Sequence, residues 1–333
     1  MKKLIFVVLI CLVLNGCKSD IIDEISEPDV GGAVLSAPPE SAAPETTPSL
    51  RATPPTEGNF AEPFRRPARL LNCEFHEQRE FDIFVSRAEI YDIQGNSGII
   101  SGVIPHHLLA GRLIAGFFKT VSVTRPDVET VIIVAPIHDA EGIVVATTLS
   151  DWAAPFGVLE NEQGFSERFV DVLDAEICDD TVEKDHSASS LVPFIKYYFP
   201  EASVAVLLVE ANAPRDFSER ASALLARFAE EKNCLFVFSV DFSHYLGPEQ
   251  IYERDEESRL AILEADTEKI ARMTNANVDS PKSILAFLGL NELLSLELYE
   301  LDNTNSLEIS GVAYPHPIYD EGLTSYFVFA GVE

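Results

Sequence analysis

The 333-residue chain carries 54 acidic and 24 basic side chains, a formal net charge of −30 at pH 7 with histidine neutral. That balance excludes a nucleic-acid-binding protein, which needs cations facing phosphate, and gives no pull towards anionic lipid head groups. Hydrophobic residues make up 47% of the chain, enough to bury a large core.

The N-terminus reads as a targeting segment. Lys2 and Lys3 precede an apolar run over residues 4–14, too short to span a bilayer comfortably. The run ends in Leu14-Asn15-Gly16-Cys17, which resembles a bacterial lipobox except that Asn15 stands where a small residue is usual. The expectation is a lipoprotein signal peptide over 1–17, lipidation of Cys17, and an extracytoplasmic protein anchored to a membrane. Residues 18–67 are rich in Pro, Glu, Ser, Thr and Ala. Such a composition buries too little apolar surface to offset chain entropy, so it reads as a semi-rigid tether. A single folded domain is expected over 68–333.

Within that domain, alternating apolar residues over 81–91 predict a strand. Residues 99–104 predict a core strand ending at Pro105-His106-His107, followed by a helix over 108–121. The β-branched run 130–136 predicts a strand buried on both faces that delivers His138. Another strand is expected over 142–149, a loop with Trp152 over 151–160, and a helix over 163–175. Asp185-His186-Ser187 precedes a helix over 191–199, with Ser187 as its expected cap. A strand over 202–210, a helix over 215–232 and a strand over 235–240 follow. This last strand ends at Asp241-Phe242-Ser243-His244. Helices are expected over 249–264, 267–273 and from Pro281 to about 288, then strands over 296–301, 308–314 and 325–331. Strands that alternate with helices predict a layered α/β domain.

The chain has 7 histidines, and His106, His107, His138 and His244 sit where core strands end. In open α/β sheets ligands bind beyond the carboxyl ends of strands, so these imidazoles are candidate metal ligands. Imidazole suits iron, copper, nickel and zinc. His186, Asp241, His244 and Asp279 are the groups available to complete the set. Asp241 stands either to orient an imidazole or to cap the helix that follows. Cys73, Cys178 and Cys234 form no Cys-x-x-Cys pattern, which argues against a thiolate zinc site. A Ser-His-Asp hydrolase lacks its Gly-x-Ser-x-Gly elbow.

Pro105-His106, Ala135-Pro136-Ile137-His138, Asp185-His186-Ser187 with Leu191-Val192-Pro193-Phe194, and Ser239-Val240-Asp241-Phe242-Ser243-His244-Tyr245 occur in the order of the Memo-like family. That family includes protein B of the AmmeMemoRadiSam system, and the resemblance covers residues 70 to 333. It implies a fold similar to class III extradiol dioxygenases: one three-layer α/β/α domain around a mixed, largely parallel sheet. It also implies a pocket in which His106 and His138 match the first two metal ligands, with His186 and His244 as further pocket histidines. The family's third ligand is a cysteine in a Cys-Gly motif. Here the matching place reads Asn277-Val278-Asp279-Ser280-Pro281, so Asp279 is the expected replacement, with Ser280 or a lost ligand as alternatives. Two histidines and a carboxylate form the facial triad of non-haem iron sites. The reading is metal-dependent redox chemistry on a small molecule, dioxygenase-like. His106, His138 and Asp279 hold a divalent transition metal (iron, with copper or zinc as alternatives). His186, His244 and Asp241 handle protons and orientation. A non-enzymatic metal- or ligand-binding lipoprotein and a zinc hydrolase are the rival readings.

Overall fold

The computed structural model describes residues 69–75, 77–93, 98–139 and 142–333. The signal segment, Cys17, the tether and His76 lie outside the described residues. No helix among the described residues is long and apolar enough to cross a membrane.

The chain enters through β1 (Leu70–Asn72) and α1 (Gln78–Arg87). The strand expected over 81–91 is therefore mostly helix. Phe81 is buried, Phe84 and Val85 pack partly against the core, and Ile83 is left exposed. That is helical spacing, one face at i, i+3 and i+4, and it wins over the alternation.

β2 (Ile99–Ile104) is followed by a 3₁₀ turn and α2 (Gly111–Thr124). A Cβ placed on Gly102 would lie 2.3 Å from the Phe117 ring. Only glycine lets α2 settle this close to the sheet. β3 (Thr130–Pro136) is buried at every position. Its odd residues Val131, Ile133 and Ala135 join one apolar cluster, and its even residues Ile132 and Val134 join another. This two-sided burial is why the run reads as continuous rather than alternating.

β4 (Val145–Thr147) is followed by a hairpin of β5 (Asp151–Ala154) and β6 (Gly157–Leu159), which forms a small sheet with β1. The loop expected around Trp152 is thus a paired strand that buries the indole completely. Then come α3 (Gln163–Leu173), β7 (Glu176–Ile177), α4 (Asp179–Lys184), α5 (His186–Ser189) and α6 (Val192–Tyr198). The helix expected over 191–199 is α6, which has no side-chain cap, so Ser187 does not cap it; the cap in this stretch belongs to α5, where the Asp185 carboxylate accepts from the Ser187 N–H at 3.0 Å.

β8 (Ser203–Val209), α7 (Phe217–Glu231) and β9 (Cys234–Ser239) continue the alternation. β10 (Phe242–Leu246), α8 (Pro248–Leu263), α9 (Thr267–Ile270) and α10 (Pro281–Leu294) follow. The chain closes with β11 (Glu297–Asn305), α11 (Ser306–Ser310) and β12 (Leu323–Val332). The strand expected over 308–314 falls instead on the end of α11 and an irregular segment. Asn305 caps α11 by accepting from the Glu308 N–H at 3.0 Å, and Gly311 ends it at φ +63°.

The main sheet has the order β10-β12-β2-β9-β3-β8-β4-β7, with β11 also paired to β12. β2, β9, β3 and β8 are mutually parallel, and β12 and β4 flank them antiparallel. Helices α2 and α6 cover one face; α3, α7 and α10 cover the other. The architecture is the three-layer α/β/α sandwich around a mixed sheet that the sequence implied.

The antiparallel flank carries two local devices. Tyr245, beside His244, has φ +62° and is exposed. A Cβ on Gly322, itself at φ +94°, would fall 2.4 Å from the Tyr245 carbonyl carbon. Gly322→Ala is therefore expected to lower unfolding free energy by about 2–3 kcal/mol, from strain and contact combined. Denaturant unfolding measures this directly.

Beneath the same strands, Asp255 accepts from the hydroxyls of Ser243, at 2.6 Å, and Ser325. Burial raises its carboxyl to about 6 despite those hydrogen bonds. A raised carboxyl stabilises the fold below the unfolded value and loses that contribution as pH rises through about 6. Unfolding free energy should accordingly fall by roughly 2–2.5 kcal/mol between pH 4 and pH 7 from this group alone. Denaturant titrations at the two pH values in wild type and Asp255→Asn isolate it, because the variant should lack that slope.

Candidate metal centre

The carboxyl ends of β2, β9 and β3 lie side by side in the sheet, so the residues that leave them converge. β2 delivers His106, β9 delivers Asp241, and β3 delivers His138. α5 supplies His186 as its first residue. One ring nitrogen each from His106, His138 and His186 lies within 4.8 Å of the others. The ring centroids of His106 are 5.2 Å from His138 and 5.1 Å from His186, both nearly edge-on. His138 and His186 stack at 4.2 Å.

The hydrogen bonds fix which nitrogen each ring presents. The Ser239 hydroxyl donates to the Ser187 carbonyl at 2.6 Å. Its oxygen can then only accept from His106 Nδ1–H, 3.1 Å away. This leaves His106 Nε2 as a bare lone pair. It is buried and has no hydrogen-bond partner. A buried nitrogen without a partner is costly unless something occupies it.

His138 is set by Asp185. The carboxylate accepts from the His138 backbone N–H at 2.7 Å and from its Nδ1 at 2.9 Å. The free Nε2 then points away from the carboxylate. This carboxylate–histidine arrangement is the usual outer support of a metal-bound imidazole. Burial opposes the charge on Asp185, but the hydrogen bonds from His138 and Ser187 outweigh it and hold the carboxyl well below its ordinary range.

His106 and His186 are kept neutral. Burial lowers His106 well below the usual histidine value, and His138 and His186 push it further down. Burial and then His138 lower His186 as well. Neutral rings keep their lone pairs at pH 7, as metal ligation requires.

Two carboxylates adjoin His106. Asp241 Oδ1 accepts from the His106 backbone N–H at 3.1 Å, and its Oδ2 lies 3.7 Å from His106 Nε2. Asp241 thus positions the main chain of His106, while Ser239 orients the ring. It does not cap α8, whose N-terminal residue Gly247 gives no side-chain cap. Asp279 Oδ2 lies 3.3 Å from His106 Nε2 and accepts from the Asp241 N–H at 3.1 Å. Its Oδ1 is buried without a hydrogen-bond partner. Burial, followed by the nearby Asp241 charge, raises its carboxyl well above the ordinary value. A cation beside it would reverse that preference.

The set that the geometry draws together therefore differs by one member from the sequence expectation. His186 stands with His106 and His138 within mutual ligand distance, whereas Asp279 touches the group through His106 alone. Ser280 caps α10, accepting from the Ser283 N–H, and is thereby engaged. His244 is held by its backbone N–H to the Asn275 carbonyl at 2.9 Å, and its Nδ1 is buried without a partner. His107 turns aside: its Nδ1 lies 2.7 Å from the hydroxyl of fully buried Tyr326. Asp185 and Ser239, which orient two of the rings, were not singled out from sequence. The adjacency of Asp185 to His186, and of Ser239 to Asp241, was the available signal.

The described cysteines are not part of the centre. All three are free, and burial raises Cys73 to about 11 and Cys234 to about 12. The donor set is imidazole and carboxylate, which fits a divalent transition metal without selecting one.

Comparison with known proteins gives the following likenesses. Residues 86–314 match the family model described as Memo-like protein. A MEMO1 family protein of Nitrosopumilus maritimus is 26% identical over 53% of this chain and 65% of its own length. Another from Methanosarcina acetivorans is 25% identical over 64% of this chain and 81% of its own. An uncharacterized protein of Escherichia coli K12 with a solved structure is similar over 70% of this chain and 100% of its own, with 13% identity and a TM-score of 0.47.

Proposed function

Because the chain belongs to the Memo-like family, we propose that it is a metal-dependent oxidoreductase acting on a small organic molecule, with dioxygen as the co-reactant. The observation that carries this reading is the convergence of His106, His138 and His186 within ligand distance of one another. These three would hold the metal, with Asp279 next to His106 as a fourth donor. A bound iron would supply one-electron chemistry and open coordination positions for substrate and dioxygen.

The chain's own residues divide the remaining work. Ser239 and Asp185 hold two rings in the tautomer that exposes Nε2. His244, with its unpartnered Nδ1, accepts or returns a proton at the rim of the centre. His138 is the most exposed of the three rings.

A second reading is favoured by the composition of the set itself. Three imidazoles also hold zinc in hydrolytic and hydrating enzymes, where the metal activates water. Metal analysis of the purified protein, followed by oxygen-uptake and ester-cleavage assays, separates the two. Iron or copper with oxygen uptake supports the redox reading. Zinc with ester cleavage replaces it by hydrolysis, and tight metal binding without either turnover makes the protein a metal-binding lipoprotein. Asp279→Ala is expected to weaken metal binding; full metal content in that variant would remove it from the ligand set.

The N-terminal segment supports placement outside the cytoplasm. Lipid on Cys17 would anchor the protein, and the tether over 18–67 would hold the domain off the bilayer. Cys17→Ser should move the protein from the membrane to the soluble fraction.

A further inference from the structure

A cavity of about 790 Å³ opens between the segment after β8 and the segment leading into α10. That volume lies in the range of small-molecule sites. Asp279, 3.3 Å from His106 Nε2, is part of its wall. One carboxylate therefore belongs both to the metal centre and to this cavity. Met273 and Leu285 give it apolar lining.

Its charged lining runs against the rest of the molecule. Arg215, Arg272 and Lys282 all border the cavity, in a chain whose acidic residues outnumber its basic ones 54 to 24. Arg272 is paired to Glu268 at 3.3 Å on the rim. Arg215 makes no hydrogen bond or ion pair among the described residues. Lys282 donates to the Pro214 carbonyl at 2.8 Å, an uncharged acceptor. Asp216 is the acidic group near Lys282, and Arg215 is its cationic neighbour.

The position of Lys282 is unfavourable for the fold alone. It sits in the first turn of α10, where the helix dipole is already positive. A lysine there costs helix stability, but it reinforces a field that attracts anions. Two cations that form no ion pair among the described residues, set beside a helix N-terminus and facing one cavity, form a receptor for a negatively charged group.

We propose that this cavity is the substrate chamber of the metal centre, and that Arg215 and Lys282 bind the carboxylate or phosphate of a small organic acid whose other end reaches the metal. The proposal rests on the metal-centre reading above. It assigns substrate charge and orientation: anionic group outward, reacting group towards Asp279 and His106.

The test is calorimetric titration of the full chain, zinc-loaded and metal-free, with phenylacetate, phenyl phosphate and 2-phenylethanol. Both anions, or one of them, should bind at least about tenfold more tightly than the alcohol, the factor one charge-assisted hydrogen bond supplies. The better anion identifies carboxylate or phosphate as the cognate group. In Arg215→Gln/Lys282→Gln the preference should vanish, while alcohol binding and metal content stay as in wild type and the thermal midpoint does not fall. Equal binding of anions and alcohol, no binding of any probe, or a preference that survives in the double variant overturns the proposal. A preference that persists in a protein unable to hold metal refutes the metal reading and leaves the anion chamber standing. Normal metal content without any preference refutes the chamber alone.

Discussion

His106→Ala is expected to abolish stoichiometric metal binding. The ring stands between His138 and His186 on one side and Asp279 on the other, so its removal takes away the group common to both. Losing an outer-shell partner of a metal ligand typically costs about 10–100-fold in affinity, and loss of a ligand itself should exceed that. The effect carries over to stability. A metal present at 100 times its dissociation constant stabilises the folded state by about 2.7 kcal/mol. Wild type should therefore melt higher with metal than with chelator, and His106→Ala should melt at the same temperature in both. The buried carboxylates Asp241 and Asp279 remain in the variant and keep the cavity polar. A metal-to-protein ratio unchanged from wild type would show that the cation binds elsewhere.

Asp185→Asn tests the orientation of the centre without removing a ligand. The carboxylate accepts from His138 Nδ1, from the His138 backbone and from Ser187 N–H. Asparagine is as good a helix cap as aspartate, so α5 should survive. What is lost is the negative charge that favours the Nδ1–H tautomer and strengthens Nε2 as a donor. Metal affinity should fall by about 10–100-fold, and the metal-free protein should lose some stability as well, because one acceptor oxygen becomes an amide NH2 facing an N–H donor. Asp185→Ala should lose the same affinity and, in addition, about 1 kcal/mol of stability from the missing cap. Competition with a chromophoric chelator, paired with denaturant unfolding of the metal-free protein, separates the two contributions. The pH dependence has a definite sign. Asp185 is held below its ordinary value in the fold, so its contribution is complete above that value and is lost as pH falls beneath it.

The strands that position the centre were legible because they are buried on both faces. Apolar, β-branched runs such as Val131 to Val134 admit little else, and each one ends at a residue with chemistry. The amphipathic helices α3 and α7 were legible from their periodic faces. Phe81 to Val85 was not, because Phe81, Ile83 and Val85 mimic alternation while the buried helical face is Phe81 with Phe84. Trp152 sits in a short hairpin whose burial depends on distant β1, a contact no local pattern records. The same limit applies at the site. Three histidines announced themselves by standing at strand ends or beside a helix start. Choosing among His186, Asp279 and His244 as partners required knowing that α5 folds back onto β3. The Ser187 hydroxyl, bonded to the Pro136 carbonyl at 2.9 Å, makes that long-range contact. Ser239 and Asp185 act through hydrogen bonds between separate elements, and a one-dimensional reading does not contain those bonds.

The most direct test is a crystal structure of the metal-loaded protein with anomalous scattering recorded at the edge of the bound metal. One peak is expected, within about 2.0–2.3 Å of ring nitrogens from His106, His138 and His186, on the scale of metal–imidazole bonds. A peak remote from these rings, or fully loaded protein in which His106 and His138 do not share the ion, would contradict the account.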